Sequence, residues 1–245
     1  MVRINDRPRI VRMSHALFPS FSERDGTDLV RRQVASGNHR KLIGGLWSEL
    51  GNLQADFLKS RGLLPHHVLI DIGAGCFRAG VRLVPYLEPG NYYAIDKHAA
   101  LLEAGYAREI EPAGQANRFP RGNFVATADF DIIRFGRAFD FGIAQSVFTH
   151  MPIARLKDCL TAVAPHFLPG GQFLITVFLA PDAISGRPCT QMPGGIVTFP
   201  NSNPFHTTLA ALSHFASQAT EWQMSVIGDW GHPRNQQMVC FTRCH

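Results

Sequence analysis

The groups whose spacing could do chemistry lie first around Asp71-Ile72-Gly73-Ala74-Gly75-Cys76-Phe77-Arg78. The apolar run Val68–Ile72 suits a strand buried on both faces, as in a parallel sheet. Gly73 and Gly75 carry no Cβ, so the backbone there can turn sharply and approach a ligand closely. The N–H groups that open the next helix have no intrahelical partner and can meet a polar ligand. A dinucleotide fingerprint needs a third glycine where Arg78 stands, and the chain holds no Gly-Lys-Ser/Thr phosphate loop. Asp71, directly before the turn, repels a pyrophosphate and welcomes a cation. Twenty-one residues beyond Gly75, Asp96 ends a second apolar run, Tyr92–Ile95. An acid at the end of the second strand of a β-α-β unit can accept hydrogen bonds from both ribose hydroxyls.

Proton transfer needs a group that titrates near neutrality, and an imidazole suits it. His150 is the first candidate for a catalytic base, with His206 and His232 as rivals. Trp230 and Arg234 stand in the closing turn; the plainer alternative is that Trp230 packs and Arg234 makes a structural ion pair. The five cysteines form no C-x-x-C pair and are odd in number, so neither a disulfide framework nor a zinc site is expected. The expectation for metals is none.

These residues must be positioned by alternating strands and helices. Residues 1–26 read as irregular, with Pro8 and Pro19. Thr27 is an N-cap candidate for a helix to about Ser36. A second helix is predicted from His39 to Ser60, with Leu42, Leu46, Leu50, Leu53 and Phe57 at helical spacing. After the glycine turn come a helix over 79–86, the strand ending at Asp96 and a helix over 98–110. Further strands are expected at 123–126, 139–144 and 172–178, with a helix over 153–167. A long loop over 180–206, a helix over 207–219 and strands at 222–227 and 237–241 complete the chain. The alternation predicts an α/β fold: a doubly wound, mostly parallel seven-stranded sheet with a closing antiparallel hairpin and an N-terminal helical cap. The expected division is an arm and cap over 1–62 and a nucleoside-binding core over 63–245. In open α/β sheets ligands bind beyond the carboxyl ends of the strands, so 145–150, 180–206 and the 229–236 turn should share that face.

Composition agrees with a globular domain: 45% of residues are hydrophobic and 18% charged. No apolar run is long enough to span a membrane, and the first residues lack the apolar core of a signal peptide, so a cytoplasmic protein is expected. The net charge of +5 is carried by residues 1–41, where nine basic residues face four acidic ones. A basic arm can meet nucleic acid, but this one lacks the aromatic pattern of a single-strand-binding surface. The expected partner is a small molecule, with no nucleic acid and no membrane. The oligomeric state is left open.

The stretch Asp71-x-Gly73-x-Gly75, the acid at Asp96, Asp129-Phe130 after the third strand and Gln145–Pro152 after the fourth together resemble the class I S-adenosylmethionine-dependent methyltransferases. Leu168-Pro169-Gly170-Gly171 before an apolar strand recurs in the same family. Trp230-Gly231-His232-Pro233-Arg234-Asn235-Gln236-Gln237-Met238 looks like the ending of a bacterial small-molecule subgroup, with Asn235 where that subgroup has Gly. The likeness covers about residues 39–242. It implies S-adenosylmethionine as cofactor, held by Asp71, Gly73, Ala74, Gly75, Arg78, Asp96, Lys97, Asp129, Phe130, Gln145 and Ser146. It puts Phe148, Trp230 and Arg234 on the substrate side. The Asn/Asp-Pro-Pro-aromatic signature of the nucleic-acid and protein-glutamine amino-methylating enzymes is lacking. The expected reaction is methylation of O or N on a small metabolite. The alternatives are an enzyme that consumes the cofactor by cyclising or lysing its aminobutyl chain, and an RNA-associated nucleoside-binding module.

Overall fold

The computed structural model describes residues 23–245; the irregular basic arm expected at the N-terminus lies, for residues 1–22, outside it. The first helix, α1 (Glu23–Ala35), begins four residues ahead of the expected cap at Thr27. A short α2 (His39–Leu42) and α3 (Trp47–Ser60) replace the single helix expected over 39–60. The break has a local cause. Gly44, Gly45 and Leu46 all take left-handed backbone angles, with φ of 88°, 64° and 49°. Two glycines in sequence make that cheap, and an α-helix cannot continue through it. The register of α3 changes with the break: Leu50, Gln54, Ala55 and Leu58 are buried, whereas Leu46 is exposed.

The sheet strands are β1 (Leu69–Ile72), β2 (Tyr92–Asp96), β3 (Phe124–Ala126), β4 (Phe139–Ala144), β5 (Phe167–Val177), β8 (Trp222–Gly228) and β9 (Gln237–Arg243). Their order is β3-β2-β1-β4-β5-β9-β8. β1 to β5 pair in parallel, and β9 is antiparallel to both β5 and β8, which closes the sheet as a hairpin. Helix α4 (Gly80–Leu83) follows the glycine turn. Helix α5 (Ala99–Gly105) widens into a π-turn over Tyr106–Ile110. On the other side of the sheet lie α6 (Arg155–Val163) and α7 (Leu209–Ala216), the latter capped by Thr208 Oγ1 accepting from Ala211 N–H at 3.1 Å. The segment expected as a long loop carries its own small hairpin, β6 (Cys189–Gln191) with β7 (Ile196–Thr198).

Alternation along the strands sorts the core into two layers. Ile70, Ile72, Tyr93, Ile95, Val239 and Phe241 pack against Leu156, Leu160 and Leu212 on one side. Leu69, Tyr92, Ala94, Met238 and Cys240 pack against Ala55, Leu58, Leu83 and Leu102 on the other. Burial on both faces is what a continuous apolar strand such as β1 requires. Two connections thereby deliver polar groups to one end of the sheet: the turn after β1 and the segment after β4. None of the described helices is long and apolar enough to cross a membrane.

Candidate active site

Gly73 and Gly75 have φ of 74° and 58°, so the turn after β1 depends on glycine. It is covered by protein: a Cβ at Gly73 would lie 2.5 Å from Val147 Cγ2, and one at Gly75 would lie 2.7 Å from Ile43 Cγ2. Val147 follows β4 and Ile43 ends α2, so the cap and the β4 segment meet over the turn.

Asp96 ends β2 and is tied to this turn. One carboxylate oxygen accepts from Gly75 N–H at 2.9 Å and the other from His98 N–H at 2.8 Å. Burial raises its pKa against those two bonds, and burial lowers that of His98 beside it. Asp71 is buried, accepts from the Tyr92 hydroxyl and is pushed by desolvation up to about 7. Asp129 is exposed, with its backbone N–H donating to Thr127 Oγ1 at 3.2 Å.

A buried polar network fills the space between the β1 turn, α3 and the closing hairpin. Gln145 Oε1 accepts from Arg78 Nη2 at 2.7 Å and from Gln54 Nε2 at 3.1 Å. Ser146, held left-handed at φ 62°, receives a hydrogen bond on Oγ from Gln236 Nε2 at 2.6 Å, and its N–H donates to Thr176 Oγ1 at 2.8 Å. Gln54, Thr176 and Gln236 escaped the sequence reading. Gln54 sits in an apolar stripe with no motif around it, and Gln236 was visible only as part of the closing stretch. Two atoms in this network are buried with no partner: Arg78 Nε and Gln54 Oε1. Arg78 Nη1 donates to the carbonyls of Ile43 at 3.1 Å and Gly45 at 3.0 Å. Burial lowers its pKa to about 10.

The three histidines separate clearly. His206 has both ring nitrogens engaged inside its own segment, Nδ1 with Thr198 Oγ1 and Nε2 with the Ser185 carbonyl, each at 2.9 Å. That geometry makes it a buried strut, contrary to the expected catalytic role. His232 Nδ1 accepts from Arg234 N–H at 3.1 Å, and its Nε2 lies 3.3 Å from the Gln145 amide nitrogen. Desolvation, with Arg234 and Arg78 nearby, pulls its pKa down to about 3, which does not suit a base. His150 is reached by solvent, yet the protein around it lowers its pKa, helped by Lys97 and Arg234. Its Nδ1 lies 2.7 Å from Asn203 Oδ1. Arg234 thus acts on both His150 and His232, and Lys97 on His150.

The rings expected to face a substrate are corrected. Phe148 is buried in the core, stacked near Phe130 with centroids 6.3 Å apart. Trp230 is buried, donates from Nε1 to the Gln236 carbonyl at 2.8 Å and meets Phe57 edge-on. Packing is a sufficient account of both. Arg234 makes no ion pair among the described residues; its Nη2 donates to the Gly44 carbonyl. Asn235 takes φ of 61° and donates to Gln191 Oε1 at 3.0 Å, so it keeps the left-handed turn that the glycine of the likeness would hold. No group of three or more metal-binding side chains occurs among the described residues.

No protein-family model and no curated protein matches the chain. Solved structures do. A putative O-methyltransferase from Nostoc punctiforme aligns with a TM-score of 0.62 at 16% identity, covering 88% of this chain and 60% of its own. The chain therefore spans about 60% of the length of that neighbour. Magnesium protoporphyrin IX methyltransferase from Synechocystis, solved with bound S-adenosylmethionine, aligns at 0.58 and 13% identity, covering 92% of this chain and all of its own. An S-adenosylmethionine-dependent methyltransferase from Clostridium acetobutylicum aligns at 0.57 and 10%, covering 87% and 98%. With a seven-stranded sheet in this order and a reversed β9, the chain has the class I, Rossmann-like fold of the S-adenosylmethionine-dependent methyltransferases.

Proposed function

We propose that the protein is an S-adenosylmethionine-dependent methyltransferase acting on O or N of a small molecule. The observation that carries the reading is Asp96: a carboxylate at the end of β2, fixed by two backbone N–H groups and joined through one of them to the glycine turn. That placement suits paired ribose hydroxyls.

The rest of the site fits the cofactor. Arg78 Nε is an orphan donor for a carboxylate, and Gln54 Oε1 an orphan acceptor for an ammonium. Both side chains bond to Gln145, so they offer the two ends of an amino-acid zwitterion complementary partners. Asp71 adds a carboxyl that a cationic neighbour would ionise. When bound, the cofactor supplies an electrophilic methyl group on a sulfonium that is a good leaving group.

The protein's work is then to position the acceptor, exclude water and accept a proton where the acceptor carries one. His150 is the group for that proton. With Nδ1 donating to Asn203 Oδ1, Nε2 is the basic atom, and the lowered pKa keeps the ring neutral at pH 7. The helices ahead of residue 63 act as a cap on a core of 63–245, and the protein works in the cytoplasm on its small-molecule substrate.

The test is incubation with S-adenosylmethionine and cell-extract small molecules, in parallel with the cofactor alone, followed by mass analysis of the nucleoside product. S-adenosylhomocysteine that forms only with the extract supports methyl transfer. Methylthioadenosine formed from the cofactor alone would replace this reading with cyclisation or lysis of the aminobutyl chain.

A further inference from the structure

We infer that Arg234 forms an anion-reading subsite for the acceptor, and that the acceptor is therefore a carboxylic acid bound as its carboxylate; this rests on the methyltransferase reading. Three cations converge on the carboxyl-end face: Arg78, Lys97 and Arg234. None of them makes an ion pair among the described residues. Arg78 is buried, its Nη2 donates to Gln145 and its Nε is without a partner, a donor for the cofactor's own carboxylate.

Arg234 is placed differently. It sits in the closing turn, with one terminal nitrogen donating to the Gly44 carbonyl. Glu49 attracts it but stands too far away to form a salt bridge. Its position is fixed from both sides. A Cβ at Gly44 would lie 2.7 Å from Nη1, and one at Gly194 would lie 2.6 Å from the Arg234 Cα. A half-buried guanidinium held rigidly against a neutral carbonyl is a poor surface residue and a good carboxylate receptor, because its planar fork is pre-organised. Lys97 and Arg234 both lie within electrostatic reach of His150. The cofactor brings one carboxylate against an ammonium and a sulfonium, so it cannot neutralise both arginines. An anionic acceptor does.

The test uses calorimetry on the full chain saturated with S-adenosylhomocysteine. The titrants are aromatic and aliphatic monocarboxylates, such as benzoate and hexanoate, each beside its primary amide. The wild type should favour at least one acid over its amide by tenfold or more. In Arg234→Gln that preference should shrink to within twofold, while the affinity for S-adenosylhomocysteine stays within twofold. Arg234→Lys keeps the charge and replaces the glutamine variant if that fails to fold; it should lose at least threefold of the preference. The inference is overturned if no acid outbinds its amide, or if the preference survives in both variants. It is also overturned if Arg234→Gln weakens S-adenosylhomocysteine tenfold and leaves methylthioadenosine unchanged, because Arg234 then reads the cofactor's own carboxylate. Failure of the wild type to bind S-adenosylhomocysteine at all would instead remove the cofactor reading beneath it.

Discussion

Asp71 and His232 are both buried away from their ordinary protonation behaviour, and they act on stability in opposite directions. Asp71, raised to about 7 from 3.8, keeps a proton in the folded chain that the unfolded chain has lost, so it costs stability as pH rises from about 4 to about 7. His232, lowered to about 3 from 6.5, stays neutral when folded and charges when unfolded, so it costs stability as pH falls below about 6.5. Each slope approaches roughly 1.4 kcal/mol per pH unit in mid-range, and between about pH 4 and 6.5 they offset each other. His232→Asn should therefore show urea midpoints that fall more steeply with rising pH over that window than those of the wild type. An unchanged slope would mean that His232 is not held neutral. Asp71 also predicts proton linkage. A cationic cofactor favours its ionised form, so S-adenosylmethionine binding at pH 7 should release up to about half a proton, read from binding enthalpies in buffers of different ionisation enthalpy. Among the site residues, Asp71, Gly73, Gly75 and Asp96 were legible because each stands at a strand end beside a turn. Gln54 and Thr176 were not, because only the fold brings them to Gln145 and Ser146. The rings of Phe148 and Trp230 were misassigned for a related reason: an aromatic beside a site is read as a ligand contact unless its packing partners, Phe130 and Phe57, are known.

One acid ties the start of the cap to the core. Glu109, in the π-turn that ends α5, accepts from His39 Nε2 and Arg40 Nε at 2.7 Å on one oxygen and from Arg40 Nη2 at 2.6 Å on the other. Burial pushes its pKa up, but the bonds from Arg40 and His39 prevail and hold it below the ordinary value. Glu109→Ala leaves His39 buried without its partner. It should cost roughly 1–3 kcal/mol, less than a fully buried pair because Arg40 is half exposed. Hydrogen exchange over residues 39–46 should speed up while the β1 and β4 amides keep their protection. Gly75→Ala should cost about as much, since a left-handed φ and contact with Ile43 both oppose a side chain. The sheet strands were readable from their apolar runs. The split of the second helix was not, because leucine spacing continued across Gly44–Gly45 while the backbone left the helix. The β6–β7 hairpin was hidden by its Pro and Gly content, which reads as loop.

At the scale of the molecule, the sheet order puts β1, β2 and β4 side by side, so that the glycine turn, Asp96 and Gln145 emerge together. The reversed β9 brings the closing turn back over them, and the α2–α3 turn covers the glycine turn through Ile43. Cofactor binding should therefore slow exchange across residues 27–50 as well as 71–78. Protection confined to the second stretch would mean that the cap takes no part. On the proposed reading this face binds the adenosine of S-adenosylmethionine through Asp96, whose two ribose hydrogen bonds would contribute on the order of 1.5–3 kcal/mol each before non-additivity. The most direct measurement is a calorimetric titration of the wild type and Asp96→Ala with S-adenosylhomocysteine. One site per chain is expected in the wild type and at least a tenfold loss of affinity in the variant; no binding to the wild type, or equal affinity in a folded variant, would rule out the ribose role of Asp96.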